Sequence, residues 1–373
     1  MPSSTTLSAS GRFELQPAPP VSDEIRAAKL QNPGFGRFFT ENMVVIPYKK
    51  DEGWGRGVLK PYGPIPIDPA GSVLHYGQAI FEGFKAYHQP DGSIKTFRPE
   101  ANAHRFNASA RRLAMPDLPV ELFIEAAELL ISQDRAWVPK NVGESLYMRP
   151  FMIGTDAALG IKPSNDYLFV LIASPAGAYF PQGVKPVTVW ISEDYIRAAP
   201  GGTGAAKCAG NYAASLVAQH QARDKGCDQV VWIDAVQRKY IEEMGGMNIF
   251  FVYEENGKTT VVTPALTGTL LPGITRVSLL EIAKELGFGA EERKISIDDW
   301  EADLREGRMT EAFACGTAAV ITPIGTVKSA RGAWVIKDGQ TGPVSAKLRE
   351  TLLGIQHGLL PDTHGWLYKI VSQ

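Results

Sequence analysis

Apolar residues recur with two different periods along this chain. From Val120 to Arg135 they include Leu122, Ile124, Ala127, Leu130 and Ile131, whose mixed three- and four-residue spacings predict a helix. A second helix is predicted after Leu271-Pro272-Gly273-Ile274-Thr275, with Val277, Leu280, Ile282, Ala283 and Leu286 apolar and Gly287 ending it. Further helices are expected from Asp23 to about Leu30 behind a Ser22 cap, and from Pro99 to about Leu113. Two more run from Tyr212 to Asp224, stopped by Gly226, and from Pro343 to about His357. Between them lie short runs rich in β-branched and aromatic residues, the strand signal. These are Phe38–Pro47, Ser145–Met152, Tyr167–Ala173, Val187–Ile191, Gln229–Asp234, Tyr240–Glu243, Asn248–Tyr253, Thr259–Thr263 and Glu311–Cys315. Asp91-Gly92 and Asn256-Gly257 are hairpin turn signals. Pro61 to Pro69 reads as connection. Strand runs with helices segregated between them give an α/β (α+β) class.

The chain has 373 residues, enough for two cores. Residues 1–20, rich in Ser, Thr, Ala and Pro, read as a mobile arm. Pro181-Gln182-Gly183-Val184-Lys185-Pro186 marks a boundary, so the expected division is a first domain at 21–180, a linker at 181–192 and a second domain at 193–373. A net charge of -2 offers no footprint for nucleic acid. No apolar run approaches the ~18 residues of a membrane span, and no basic start precedes an apolar core as in a secretory signal. Cys208, Cys227 and Cys315 are odd in number and far apart, which suits neither a disulfide framework nor a metal site. A cytoplasmic location and no metal are the expectations.

One stretch carries candidate chemistry. In Gly201-Gly202-Thr203-Gly204-Ala205-Ala206-Lys207-Cys208-Ala209-Gly210-Asn211-Tyr212, Lys207 is the only charged residue. An amine among Gly and Ala is a candidate for desolvation, which lowers an amine's pKa and suits Schiff-base chemistry. A glycine-rich loop with an exposed lysine fits the same twelve residues. The stretch is neither a phosphate-binding P-loop, since Lys207 precedes Cys208, nor a dinucleotide fingerprint, since Lys207 takes the third glycine's place.

Seven segments taken together resemble the branched-chain aminotransferases, a pyridoxal-phosphate family of fold type IV. In the first half they are Leu-His-Tyr-Gly-Gln-Ala-Ile-Phe-Glu-Gly (74–83), Phe-Arg-Pro (97–99) with Arg105 behind it, and Leu-Tyr-Met-Arg-Pro (146–150). In the second half they are Ala-Lys-Cys-Ala-Gly-Asn-Tyr (206–212), Glu-Met-Gly-Gly-Met-Asn (243–248), Leu-Pro-Gly-Ile-Thr-Arg (271–276) and Gly-Thr-Ala-Ala (316–319). The likeness runs from about Phe35 to the last helix. It implies a smaller N-terminal α/β domain, a larger C-terminal domain with a β-barrel-like core that binds pyridoxal 5′-phosphate, and a homodimer.

The resemblance also implies roles. Lys207 would carry the cofactor covalently and move the substrate proton. Glu243 would face the pyridine nitrogen and Tyr212 the phenolic oxygen. Arg105, the backbone of Ile274 and Thr275, and Thr317 would hold the phosphate. Phe35, Tyr76, Phe81, Tyr147 and Tyr179 would form an apolar box for the side chains of leucine, isoleucine or valine. Arg149 would let that box take the side-chain carboxylate of glutamate. Thr317 and Ala318 would offer N–H groups to the substrate α-carboxylate. Each aromatic by itself is compatible with plain core packing.

Two departures from the family stand out. Ala319 and Thr322 occupy the places of a Cys-x-x-Cys redox pair found in some animal members, and Gly246 stands where some members have threonine. The rivals are D-amino-acid aminotransferase and aminodeoxychorismate lyase, which would share Lys207 and Glu243, and a non-catalytic cofactor carrier, which would need no acid–base lysine.

Overall fold

The computed structural model describes residues 6–178 and 184–370. Tyr179 and the linker residues Pro181, Gln182 and Gly183 lie outside them. The chain forms two compact units, one of Met1–Tyr179, Ala206–Ala209 and Ile355–Gln373, the other of Phe180–Ala205 and Gly210–Gly354.

The first unit is a ten-stranded sheet with helices on it. Its strands in chain order are β1 (Phe13–Leu15), β2 (Asn42–Lys49), β3 (Gly53–Trp54), β4 (Gly57–Pro61), β5 (Ala79–Phe81), β6 (Phe84–His88), β7 (Ile94–Phe97), β8 (Ser145–Gly154) and β9 (Asp166–Ala176), with Leu367–Lys369 added at the β7 edge. The helices are α1 (Asp23–Gln31), the short α2 (Ser72–Tyr76), α3 (Pro99–Arg112) and α4 (Val120–Gln133). Ser22 caps α1 by accepting from Ile25 N–H, and Pro99 takes the first position of α3. The α4 apolar face packs on β2 and β9. There Phe106, Phe123 and Phe169 meet with ring centroids 5.7–6.1 Å apart. The hairpin at Asp91-Gly92 forms between β6 and β7, with Gly92 at φ 80°.

The N-terminal segment departs from the expected arm. Phe13 is fully buried in the first core, β1 pairs with β4 in parallel, and Arg12 and Ser10 bind Glu125 of α4. A buried aromatic, a strand ladder and polar contacts to Glu125 supply the anchorage that its composition does not advertise.

The second unit is a nine-stranded sheet that closes on itself. Its strands are β10 (Val187–Ser192), β11 (Gln229–Ile233), β12 (Ile241–Met244), β13 (Met247–Glu255), β14 (Lys258–Thr263), β15 (Gly289–Glu292), β16 (Met309–Gly316), β17 (Val320–Ser329) and β18 (Gly332–Val335). β12, β11, β10, β17, β16 and β13 follow one another, and β13 returns to pair with β12, making a barrel of those six. β10 lies parallel to both neighbours; the other rungs of the barrel are antiparallel. Asn256 and Gly257, at φ 51° and 74°, make the tight turn between β13 and β14.

The unit's helices are α5 (Ala209–Ala213, its first residue in the other unit), α6 (Leu216–Asp224), α7 (Ile274–Glu285), α8 (Ile297–Arg305) and α9 (Pro343–Gln356, its last two residues likewise in the other unit). The helix expected over Tyr212–Asp224 is therefore broken. Ser215 N–H and Oγ both donate to the Tyr212 carbonyl, at 3.1 and 2.7 Å, and this local bonding replaces the regular helical pattern. Among the described residues no helix is long and apolar enough to cross a membrane.

Candidate active site

In the first unit Lys207 is tied down by its backbone. Its N–H donates to Ser109 Oγ of α3 at 2.8 Å, and its carbonyl accepts from Phe81 N–H at 3.0 Å. Cys208 bridges Ile80 in the same way. The lysine's backbone thus runs as an extra rung along β5. Its Nζ stands 4.7 Å from the centroid of the Phe81 ring, an attractive arrangement for a cation.

Glu82 and Arg105 form a buried pair beside it. Arg105 Nε donates to Glu82 Oε1 at 2.6 Å and Nη2 to Oε2 at 2.9 Å, the two-pronged geometry that suits guanidinium and carboxylate. Asn102 Nδ2 and Gly83 N–H also donate to Oε2. Burial by itself would raise the Glu82 pKa. Arg105, Lys207 and Asn102 outweigh it and hold the carboxyl below its usual range. Arg105 is 9% exposed and Glu82 0%, so the guanidinium is oriented by a group that water does not reach.

The aromatic candidates fall into two groups. Phe35 meets Tyr147 edge-on at 4.9 Å. Arg149 lies 4.8 Å from the Phe81 centroid and 5.3 Å from that of Tyr147, and its Nη2 donates to the Tyr147 hydroxyl at 3.1 Å. Arg149 Nε is buried with no hydrogen-bond partner among the described residues. Gly83 makes room here, because a Cβ on it would collide with the Tyr147 hydroxyl. Tyr76, on α2, stands apart from this group; its hydroxyl donates to the Leu159 carbonyl and the residue is exposed. Tyr179 lies outside the described residues.

In the second unit Glu243 is the focus. It sits on β12, 2% exposed, with Oε2 2.8 Å from Arg197 Nε. Its Oε1 accepts from Leu271 N–H at 2.7 Å and from Asn248 Nδ2 at 3.4 Å. Arg197 is held in turn, since its Nη1 donates to the carbonyls of Gly204 and Thr269. A buried carboxylate needs this much compensation to stay charged. Thr203 and Asn211 exchange two hydrogen bonds that fold the glycine-rich loop onto α5, which carries Tyr212. A Cβ at Gly246 would lie 3.4 Å from the Tyr212 ring.

α7 begins at Ile274 and Thr275, and Gly273 before it makes no side-chain cap. Side chains thus leave the first N–H groups of this helix uncapped, which is the usual setting for an anion. Thr317 and Ala318 are half-buried in the turn that joins β16 to β17. Val320, which ends that turn, has φ 64°, a costly conformation for a β-branched residue. The turn's path is therefore imposed by its surroundings.

Glu82 and Arg197 are not among the site residues expected from the sequence. A lone acid in the otherwise apolar run Ala79–Phe84 is a usable signal, since such a charge needs a buried partner. Arg197 gives a weaker one, a single charge between Ile196 and Ala198-Ala199.

The chain matches the Amino-transferase class IV family over residues 79–327. It is 58% identical over 360 residues to the probable branched-chain-amino-acid aminotransferase of Streptomyces coelicolor, covering 96% of this chain and 98% of the relative. It is 58% identical over 352 residues to the branched-chain-amino-acid aminotransferase of Mycolicibacterium smegmatis, covering 94% and 96%. Among solved structures it is similar to the branched-chain amino acid aminotransferase of Escherichia coli. The TM-score is 0.71 at 27% identity, over 87% of this chain and 99% of that one. It is similar as well to a T.th. branched-chain amino acid aminotransferase solved with pyridoxamine 5′-phosphate. There the TM-score is 0.72 at 28% identity, over 87% of this chain and 98% of that one.

Proposed function

We propose, because this chain belongs to the class IV aminotransferases and among them to the branched-chain members, that it moves the amino group between leucine, isoleucine or valine and 2-oxoglutarate. Its cofactor is pyridoxal 5′-phosphate, and the donor set fits that group. Lys207 supplies the amine, Glu243 a buried carboxylate, Tyr212 a phenol and Arg105 a guanidinium, while α7 supplies an N-terminus without a side-chain cap. When bound, the cofactor supplies the carbonyl that takes up the amino group and a ring that accepts the electron pair released at the substrate Cα. Lys207 would hold it covalently and, once displaced by the substrate amine, would take the Cα proton on Nζ and pass it on to the cofactor. Glu243, paired with Arg197, would face the ring nitrogen and favour its protonated form. The family resemblance gives the phosphate to Arg105, Ile274, Thr275 and Thr317, each of which would help to retain it while the link to Lys207 is open.

The observation that carries the substrate assignment is Arg149 lying against the Phe81 and Tyr147 rings with a buried Nε unpartnered among the described residues. An apolar wall with one charge in it suits both an aliphatic side chain and the carboxylate of glutamate. Phe35 extends the apolar side; the family resemblance would add Tyr76 and Tyr179 to it and give the α-carboxylate to Thr317 and Ala318. We assign the substrate box and Arg105 to the domain at 21–180 and the remaining cofactor contacts to that at 193–373, with 181–192 between. A cytoplasmic homodimer is part of this reading. Three free cysteines support the location, and exposed Leu159 and Ile161 support the dimer. The purified protein should absorb in the visible range, and the band should shift with leucine and with glutamate. A cofactor-loaded protein that converts no branched-chain amino acid with 2-oxoglutarate overturns the reading.

A further inference from the structure

The second unit holds a cavity of about 240 Å³ that none of the residues assigned above lines. Glu242 is in its wall. It neighbours Glu243 on β12, and successive side chains of a strand point to opposite faces. Glu242 is 5% exposed. Its Oε1 accepts from Thr269 Oγ1, while its Oε2 is buried with no hydrogen-bond partner among the described residues. Burial, reinforced by Asp234, raises its pKa; Thr269 and Arg197 only partly oppose this. A buried carboxyl oxygen left unpaired is costly, and a donor arriving there recovers that cost. Lys294 also lines the cavity; it is exposed, with Nζ 5.0 Å from the Tyr240 ring. Val236, Ile241, Pro264 and Leu270 make the wall apolar. A buried carboxyl with one unpaired oxygen inside, a positive group at an exposed position and apolar surface around them suit a small zwitterion with an apolar side chain. The volume lies below the roughly 300–1,000 Å³ of drug-sized pockets, which suits a metabolite.

We propose that this cavity is a second binding site, for a free amino acid with a small apolar side chain. The ammonium group goes to Glu242, the carboxylate to Lys294 and the side chain to Val236, Ile241 and Leu270. The site adjoins the catalytic groups through one residue. Thr269 donates to Glu242, and its carbonyl accepts from Arg197, the partner of Glu243.

Equilibrium dialysis of L-valine against the holoenzyme in its pyridoxamine-phosphate form tests this, because that form takes no amino group from valine. The expected result is one valine bound per chain. Glu242→Leu and Val236→Trp should each weaken binding by about tenfold or more, on the order of a lost charged contact or a filled site. Arg149→Met should leave it intact. Val236 is 71% exposed, so its variant decides alone if Glu242→Leu fails to fold. No binding to the wild type at millimolar valine, binding that survives Val236→Trp, or loss in Arg149→Met overturns the proposal. Dialysis reads binding only, so its failure leaves the transamination reading standing. If transamination itself fails, the dialysis remains readable on the protein as purified.

Discussion

Lys207 is held at both its N–H and its carbonyl, so its side chain projects from a fixed backbone into the neighbourhood of Phe81 and Glu82. Lys207→Ala should abolish steady-state transamination, because proton transfer at Cα requires an amine at that position. Retained wild-type turnover with ordinary amino acids would remove the lysine from catalysis. Arg149 offers a sharper division. On the proposed reading it would gain a carboxylate in the glutamate half-reaction and keep, in the leucine half-reaction, the partners already present, the Tyr147 hydroxyl and two ring faces. Arg149→Met should cost the glutamate half-reaction about 2 kcal/mol, roughly thirtyfold in rate constant over affinity, and the leucine half-reaction much less. Each half is followed alone in the cofactor absorbance with one substrate. Equal losses would mean that Arg149 only shapes the pocket.

The elements hold these residues by devices that are local and separable. Gly83 joins β5 to β6 at a point where a Cβ would strike the Tyr147 hydroxyl. Gly83→Ala should therefore displace Tyr147 and loosen its bond to Arg149. The expected outcome is a larger KM for glutamate with thermal stability close to wild type. An unchanged KM would show that the backbone shifts instead. α8 carries a complete capping box, with Ser296 Oγ accepting from Asp299 N–H and the Asp299 carboxylate accepting from Ser296 N–H. Ser296→Ala should cost about 1 kcal/mol, or a melting-temperature fall of roughly 2–4 °C, with activity unaffected. A drop in activity at constant stability would tie α8 to the site.

At the scale of the whole molecule, one histidine should contribute to the dependence of stability on acid. His357 is 3% exposed and accepts from Gly143 N–H through Nε2 at 3.1 Å. Burial, with Lys85 adding, lowers its pKa from 6.5 to about 4. The unfolded chain therefore takes up a proton at higher pH than the folded one. The stability tied to the neutral ring is complete above about pH 6.5 and is lost as pH falls toward 4, on the order of 3 kcal/mol in all. His357→Gln should flatten the slope of unfolding free energy against pH in that window. A slope equal to wild type would place the acid sensitivity elsewhere. Mild oxidants should leave activity unchanged. Cys208, Cys227 and Cys315 are all buried and free, and burial pushes the Cys315 thiol far up, away from reactive thiolate. Peroxide inactivation reversed by dithiothreitol would contradict this.

Much of this was legible from residue order because it rests on local physics. The α4 stripe, Pro99 at a helix start and the turns at Asp91-Gly92 and Asn256-Gly257 each follow from periodicity or dihedral preference within a few residues. Lys207 was conspicuous for the same reason, a charge among residues with no side chains to screen it. What the sequence alone did not determine are the pairings over distance. β1 is anchored by one buried phenylalanine against a strand more than forty residues away, in a segment whose composition reads as disordered. The helix expected at Tyr212–Asp224 breaks because Ser215 bonds locally, an option open to any serine and taken here. Glu82 finds Arg105, Arg197 finds Glu243 and Ser109 finds Lys207 only once strand register and helix packing bring them within 3 Å. A residue's type says which partner its charge needs. Tertiary structure decides which partner it has, because burial makes an unpaired charge too costly to keep and the fold admits few ways to pair it.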